Sequence, residues 1–172
     1  MSITRPLAID DVAELTALLV AQREFMAPWE PLRDDAYFTH DVQRRLVTES
    51  LVAQVDGRAL EHVILDGDAI VGRIRLAGIV RGAFQSTPMG YWVAREHNGR
   101  GLATAAVAEM LGIAFDELGL HRVQAETLEH NVASQRVLAR NGFEPIGLAP
   151  AYLQIAGRWQ DHVLWQRLAD DR

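Results

Sequence analysis

One segment constrains the organisation of this chain more than any other, and it reads MGYWVAREHNGRGLATA at residues 89–105. Its apolar and aromatic start predicts a strand, and the residues from Gly101 onward predict a helix. Gly99 and Gly101 in the connection permit a ligand to approach the backbone closely. Free N–H groups of a first helical turn carry partial positive charge, so the segment predicts a phosphate or pyrophosphate site with Arg100 at its rim.

Two familiar phosphate motifs do not fit this segment. A Rossmann fingerprint needs a third glycine where Thr104 stands, and it normally follows the first strand of the fold. A P-loop needs a lysine, and all seventeen basic residues of this chain are arginine. A Gly-x-Gly pair also occurs in tight connections that bind nothing, but the strand-loop-helix context favours a ligand site.

A second polar cluster occupies residues 122–143. Asn131 and Ser134 lie where a predicted helix begins, and Asn141-Gly142 is a typical helix end. Taken alone, Asn131 is an N-cap more readily than a ligand-binding residue. The two roles are compatible, because an N-cap after a strand lies where a cofactor can pass.

The remaining elements follow from hydrophobic periodicity and from turn residues. Two prolines predict a loop over Phe25 to Pro31, and Asp66-Gly67-Asp68 predicts a hairpin turn. The predicted strands are 1–6, 58–65, 69–80, 88–94, 122–128, 143–155 and 158–168. The predicted helices begin near Ile9 and cover 35–55, 101–118 and 133–141. Strands that first meander and then alternate with helices indicate an α/β protein with one mixed sheet and helices on both faces.

Composition narrows the class of protein. The chain has 172 residues, 19.1 kDa, 49% hydrophobic and 23% charged residues, which predicts one domain over residues 1–172. The absence of cysteine and of a signal-peptide pattern predicts a cytoplasmic protein with no membrane partner. A net charge of −6 argues against nucleic-acid binding and suits an amine-bearing partner.

Other catalytic constellations are missing from the sequence. The six histidines show no paired ligand spacing, so no metal site is predicted. No Gly-x-Ser-x-Gly elbow exists to anchor a hydrolase triad. Trp159 and Trp165 alternate in the last strand and are expected to pack.

The ordered set of motifs resembles the GNAT superfamily of acetyl-CoA-dependent N-acetyltransferases. The set comprises Glu96-x-x-Gly99-x-Gly101, a strand ending at Glu126, Asn131-x-x-Ser134 and Asn141-Gly142-Phe143, and its order covers about two thirds of the chain. Tyr91-Trp92, Ser134 and the stretch from Tyr152 to His162 resemble the RimJ/RimL-type branch, whose named members acetylate N-terminal amines of ribosomal proteins.

The resemblance implies the GNAT fold, with a mixed, mostly antiparallel sheet splayed where acetyl-CoA binds. Val93 and Ala94 are then expected to line the gap, and one of their N–H groups polarises the thioester carbonyl. Asn131 contacts the pantetheine arm, and Arg140 reaches the adenosine phosphates. The amides expected to hold the pyrophosphate belong to Asn98, Gly99, Arg100, Gly101, Leu102, Ala103 and Thr104.

The resemblance also suggests catalytic groups. Glu126 occupies the position of a general base in some alanine N-acetyltransferases, although a strand glutamate on a solvated face fits the sequence equally. Ser134 matches a serine proposed as the acid in the RimL-like branch. A hydroxyl is a poor acid at neutral pH, so Ser134 is expected to donate a hydrogen bond to the sulfur. Leu138 stands where many relatives have a tyrosine acid, and Ala151 stands where some have a second glutamate.

The sequence leaves the identity of the amine acceptor open. Phe25, Met26 and Trp29 are expected to form a wall of the acceptor site, although core packing is the alternative. A protein N-terminus and a small amine such as an antibiotic or polyamine both fit, and so does a non-catalytic acyl-CoA-binding regulator. The family tendency toward dimers makes a homodimer a further expectation.

Overall fold

The computed structural model describes residues 2–169, and in that range it contains seven strands and four α-helices. The strands are β1 (Thr4–Pro6), β2 (Ala59–Asp66), β3 (Ala69–Ala77), β4 (Ser86–Val93), β5 (Arg122–Leu128), β6 (Glu144–Ile155) and β7 (Arg158–Leu168). The helices are α1 (Val12–Met26), α2 (His40–Val55), α3 (Leu102–Gly112) and α4 (Val132–Arg140), and a π-helical turn over Ile113–Glu117 extends α3. Met1, at the start of the first predicted strand, lies outside the described residues.

The strands form one sheet in the order β1-β2-β3-β4-β5-β7-β6. The β4–β5 pair is parallel and the other five neighbouring pairs are antiparallel. The predicted mixed, mostly antiparallel sheet is therefore confirmed. Among residues 2–169 we find no helix with the length and apolar character needed to cross a membrane.

Helices cover both faces of the sheet. Successive residues of a strand point to opposite sides, so one strand can contribute apolar side chains to a core on each face. On β2, Val63 packs with Leu15 of α1 and Val47 of α2. The next residue, Ile64, packs with Met110 of α3 and Leu138 of α4. All six side chains are fully buried. Two cores thus lie on opposite faces of the sheet, as the sequence predicts.

The sheet opens between β4 and β5. These strands pair only where Ser86–Pro88 run beside Arg122–Gln124. Beyond that point β4 stays paired with β3 as far as Val93, and β5 stays paired with β7 as far as Leu128. The two strands therefore share one end and separate toward the other, which is the predicted splay.

Three local expectations are wrong. Phe25 and Met26 belong to the last turn of α1, because the first proline, Pro28, lies two residues beyond the helix end. Trp165 packs in the core as expected, but Trp159 near the start of β7 is 65% exposed. The helix predicted over 35–55 is also interrupted, because Thr39 is extended between a 3-10 turn and α2.

Replacing Leu15 by alanine tests the core beneath α1. Leu15 is fully buried, so Leu15→Ala should lower the free energy of unfolding by about 2–5 kcal/mol through lost burial and the cavity left behind. Urea denaturation measures this change. Val20→Ala on the same helix removes a side chain that is 54% exposed, and it should change stability by no more than about 0.5 kcal/mol. Equal losses in the two variants would contradict this description of the core.

Candidate active site

The loop between β4 and α3 presents a run of unpaired backbone donors. Gly99 and Gly101 adopt φ values of 76° and 83°, a region that favours glycine. Gly101 is the N-cap of α3, and no side chain in the described part of the chain caps that helix end. Within residues 2–169, no protein acceptor pairs with the N–H groups of residues 99–104. The N–H of Asn98, in contrast, is donated to Arg95 O at 3.2 Å, so Asn98 does not contribute a free backbone donor.

The end of β4 has one bonded edge and one open edge. The Ala94 N–H donates to Val71 O of β3 at 2.7 Å. Directly opposed residues of an antiparallel pair alternate between bonded and non-bonded pairs, so Val93 opposite Gly72 is non-bonded. The Val93 N–H therefore points away from β3 and into the gap toward β5. Of the two expected carbonyl donors, Val93 is available and Ala94 is not.

A buried glutamine of α1 holds the start of the loop. Gln22 is 4% exposed, and its side-chain oxygen accepts the N–H of Arg95 at 2.9 Å. Its side-chain nitrogen lies 3.1 and 3.2 Å from the two carboxylate oxygens of Glu96. Both ends of the amide are thus occupied, and the loop is fixed to the helix that leads into the expected acceptor region.

Arg100 lies at the rim of the loop and already has an anionic partner. Its guanidinium donates to both carboxylate oxygens of Asp66, at the end of β2. His97 Nδ1 lies 2.9 Å from the same carboxylate. The hydrogen bond from Arg100 is the main reason that the pKa of Asp66 lies below its usual value. This cluster joins the β2–β3 turn to the loop.

The start of α4 is fixed against β4 across the splay. Asn131 caps the helix by accepting the Ser134 N–H at 3.1 Å, as predicted. The Ser134 hydroxyl lies 2.8 Å from the Tyr91 hydroxyl. Burial raises the pKa of Tyr91 to about 12, so this phenol stays protonated at neutral pH. Tyr91 therefore orients Ser134 beside the gap.

The end of α4 meets the start of α3 through Asn141. Its side-chain nitrogen donates to Thr104 O at 3.2 Å and to Val137 O at 2.9 Å. Arg140, the preceding residue, is exposed and lies at the same end of α4. The contact through Asn141 brings Arg140 to the neighbourhood of the unpaired amides, whereas the sequence identifies Asn141 only as a helix end.

Glu126 faces the side of the sheet opposite α3 and α4. Its neighbour Ala125 packs in the core beneath those helices, and Thr127 accepts a hydrogen bond from the buried Trp165 ring. Alternation along β5 therefore directs Glu126 to the face that carries α1 and α2. Burial raises the pKa of its carboxyl. Within residues 2–169, the Glu126 side chain has no hydrogen bond or ion pair with another side chain.

Tyr152 of β6 shares this environment. The charge of Glu126 contributes, after burial, to raising the pKa of Tyr152. The Tyr152 ring in turn lies 5.7 Å from the ring of the buried His162. Glu126 is thus a partly desolvated carboxylate beside aromatic side chains, which suits a proton acceptor.

The loop after α1 closes over the same region. The Trp29 ring lies 5.5 Å from the His130 ring, just beyond β5. Glu30 O accepts the Ala156 N–H at 2.9 Å, which ties the loop to the β6–β7 turn. Of the three expected acceptor residues, Trp29 is brought to this wall, Phe25 is half-buried in α1, and Met26 is buried.

A cleft of about 280 Å³ lies beside this wall. Charged, amide and aromatic side chains line it, from Glu129, His130, Arg158, Trp159, Gln160 and Asp161. The described residues contain no group of three His, Asp or Glu side chains arranged to hold a metal ion.

Comparisons with known proteins agree with this geometry. The sequence model of the acetyltransferase (GNAT) domain matches residues 3–144. The Bacillus subtilis protein named probable N-acetyltransferase YjcK is 35% identical over 97% of this chain and 93% of its own length. The ribosomal protein uS5-alanine N-acetyltransferase of Escherichia coli K12 is 33% identical, over 90% of this chain and 80% of its own.

A solved structure extends the likeness to three dimensions. Mycobacterium smegmatis RimJ, solved in complex with CoA-disulfide, superposes with a TM-score of 0.93 at 32% identity, covering 96% of this chain and 81% of that one. Three findings point to one family. They are the seven-stranded sheet, the match to the domain model, and the sequence identity of 35% over nearly the whole chain. The chain belongs to the GNAT acetyltransferases, in the RimJ/RimL-type branch.

Proposed function

We propose that the protein transfers an acetyl group from acetyl-CoA directly to a primary amine, and that the acceptor is a protein N-terminus. The observation that carries this proposal is the run of unpaired amides at residues 99–104, which opens beside the splay between β4 and β5. Glu126 lies on the acceptor-facing side of the same splay. Anion site, gap and proton acceptor thus occupy one continuous region.

The unpaired amides suit the pyrophosphate of CoA. They combine orphan donors with the positive end of the α3 dipole, so anion binding requires no lysine. Arg100 and Arg140 supply guanidinium groups at the edges of this site. Asn131 and the open edges of β4 and β5 would hold the pantetheine arm, because unpaired strand edges offer donors and acceptors to an extended ligand.

Direct transfer needs charge stabilisation at the thioester carbonyl. The acceptor nitrogen attacks the carbonyl carbon, and negative charge develops on the carbonyl oxygen before the C–S bond breaks. The Val93 N–H points into the gap and supplies the donor for that oxygen. The absence of cysteine is no obstacle, because the reaction proceeds in a ternary complex without a covalent intermediate.

The reaction requires a proton acceptor for the amine and stabilisation of the departing thiolate. The ionised Glu126 carboxylate accepts a proton from the attacking amine, directly or through water. The departing CoA thiolate is stabilised by a hydrogen bond from Ser134, whose hydroxyl is oriented by Tyr91. Leu138 is fully buried in the core and contributes no acid.

The nature of the acceptor rests on the relatives and on the acceptor wall. The Escherichia coli relative is named for the alanine of ribosomal protein uS5. Trp29 and the cleft beside it form an open, polar surface that suits an extended peptide leading away from the reacting amine. We therefore infer a peptide acceptor with a small first residue.

Thiol release from acetyl-CoA tests the function with a matched panel of acceptors. Peptides beginning with alanine should be acetylated faster than the same peptides with a blocked N-terminus, and faster than spermidine or an aminoglycoside. Faster turnover of the small amines would contradict the peptide acceptor. Calorimetric CoA binding with no turnover on any amine would instead support a non-catalytic regulator.

Substitution of Gly101 tests the phosphate site. Gly101→Val places a β-branched side chain at φ 83°, where it should distort the loop that presents the unpaired amides, so CoA affinity should fall by roughly 100-fold. Isothermal titration calorimetry measures the affinity. Gly82→Val is the matched control, because Gly82 has a similar φ of 71° and open surroundings in a loop that contributes nothing to the site. Unchanged affinity in Gly101→Val would exclude the loop as the phosphate site.

Replacing Glu126 by glutamine should separate activity from stability. Loss of the base should lower kcat by roughly 100-fold or more, whereas Glu117→Gln, at an exposed position of the π-helical turn, should retain most activity. Full activity of Glu126→Gln at neutral pH would remove this residue from the base role.

The same variant should be more stable than the wild type at neutral pH. Burial raises the pKa of Glu126, so the folded state binds this proton more tightly than the unfolded state does. The stabilisation is complete below the unfolded-state pKa and is lost as pH rises through the folded-state pKa. Glutamine is always neutral, so its advantage in thermal midpoint should disappear when the pH falls through that range. A higher thermal midpoint of Glu126→Gln that persists at low pH would show that the stabilisation does not come from removing the Glu126 charge.

A further inference from the structure

We propose that Gly72 of β3 is a positioning residue that sets the orientation of the peptide unit between Trp92 and Val93, whose N–H is the thioester carbonyl donor. This inference rests on the proposed function, because the donor matters only if a thioester carbonyl lies in the gap. Gly72 itself touches no reacting atom and acts through the backbone of β4.

The geometry at Gly72 leaves no room for a side chain. A Cβ built on Gly72 would lie 2.2 Å from Trp92 O, 3.2 Å from Trp92 C and 3.1 Å from Val93 Cα. All three atoms belong to the peptide unit that also contains the Val93 N–H. Because a peptide unit is planar and rigid, displacing its carbonyl oxygen must tilt its N–H as well. Any residue other than glycine would therefore re-aim the donor.

Gly72 differs in this respect from the other glycines. Among residues 2–169 it is the only glycine whose added Cβ would come within 3.0 Å of main-chain atoms. Gly157 has a contact at 2.9 Å, but to the flexible side chain of Leu32. Gly90, on β4 opposite Arg75, has nothing within 4 Å. The close approach is thus specific to the residue pair at the open end of β4.

A second contact fixes the neighbouring peptide unit, between Val93 and Ala94. Val71 O accepts the Ala94 N–H at 2.7 Å, so β3 holds β4 immediately beyond Val93. The register of β2 against β3 shifts here, from Ile64 opposite Gly72 to Leu65 opposite Ile70, which makes Val71 the extra residue of a bulge. Bulges redirect backbone groups beside active sites. The bulge, the hydrogen bond and Gly72 together determine where the donor points.

The test compares Gly72→Ala with Gly147→Ala in the full chain. Gly72→Ala should lower kcat, expressed per CoA-binding site, by roughly 10- to 100-fold, because small misplacements of a catalytic group cost about that much. Affinity for CoA, which lacks the acetyl carbonyl, should stay within about threefold, since the amides at residues 99–104 and the rim arginines are untouched. Gly147→Ala, at a β6 position with nothing within 4 Å of the added Cβ, should retain wild-type kcat. Calorimetry gives both the CoA affinity and the fraction of protein that binds CoA. Dividing the rate by the concentration of binding sites keeps unfolded protein from lowering the apparent kcat.

Ala94→Pro provides a second route if Gly72→Ala does not fold. Residue 94 has φ −55°, which suits proline, so the substitution removes the hydrogen bond to Val71 O without changing this angle. It should show the same combination of lowered kcat and retained CoA affinity. Unchanged kcat per site in the folded variants would overturn the inference, as would a parallel loss of kcat and CoA affinity. Absence of turnover in the wild type would contradict the proposed function and this inference with it, whereas normal turnover in Gly72→Ala contradicts the inference alone.

Discussion

The unequal pairing of the two edges of β4 is the constraint from which the site follows. Its β3 edge is bonded as far as the contact between Ala94 and Val71, whereas its β5 edge is paired over only three residues. Backbone groups in a sheet normally satisfy one another. Among residues 2–169, donors on the open edge have no protein acceptor, and the loop that follows adds further unpaired donors at the start of α3. The open edge and the loop together make a continuous polar track across the molecule.

Polar side chains brought from distant elements hold this track in shape. Gln22 fixes the loop from α1, Asp66 fixes it from the β2–β3 turn, and Asn141 fixes the first turn of α3 from α4. Each of these groups is engaged with partners, which matters most for the buried Gln22, since an unpaired buried amide is costly. The unpaired backbone amides are therefore presented by a loop that is otherwise firmly bonded.

Local patterns predicted the fold well, because hydrophobic periodicity and turn residues mark the strands, the hairpins and the loop of residues 98–104. They failed where contacts between residues far apart in the sequence determine the local structure or the exposure of a side chain. The last turn of α1 persists through Met26 because Pro28 lacks only its own N–H, and the last helical hydrogen bond, from Ala27 N to Arg23 O, comes before it. Trp159 is exposed because its segment of β7 borders a cleft. Gln22 carried one available signal, since it is a polar residue at a core-facing position of α1. Nothing local distinguishes Gly72 from any other strand glycine.

The pairing of Arg100 with Asp66 affects how tightly any phosphate can be held at the rim. An arriving phosphate meets a guanidinium that already has a carboxylate partner, so contact exchanges one ion pair for another instead of creating a new one. The net gain in binding free energy is smaller than an unpaired guanidinium would give. Asp66 remains close enough to pair with Arg100 again when the phosphate leaves. Such reversibility fits the proposed function, in which CoA leaves the site after each turnover.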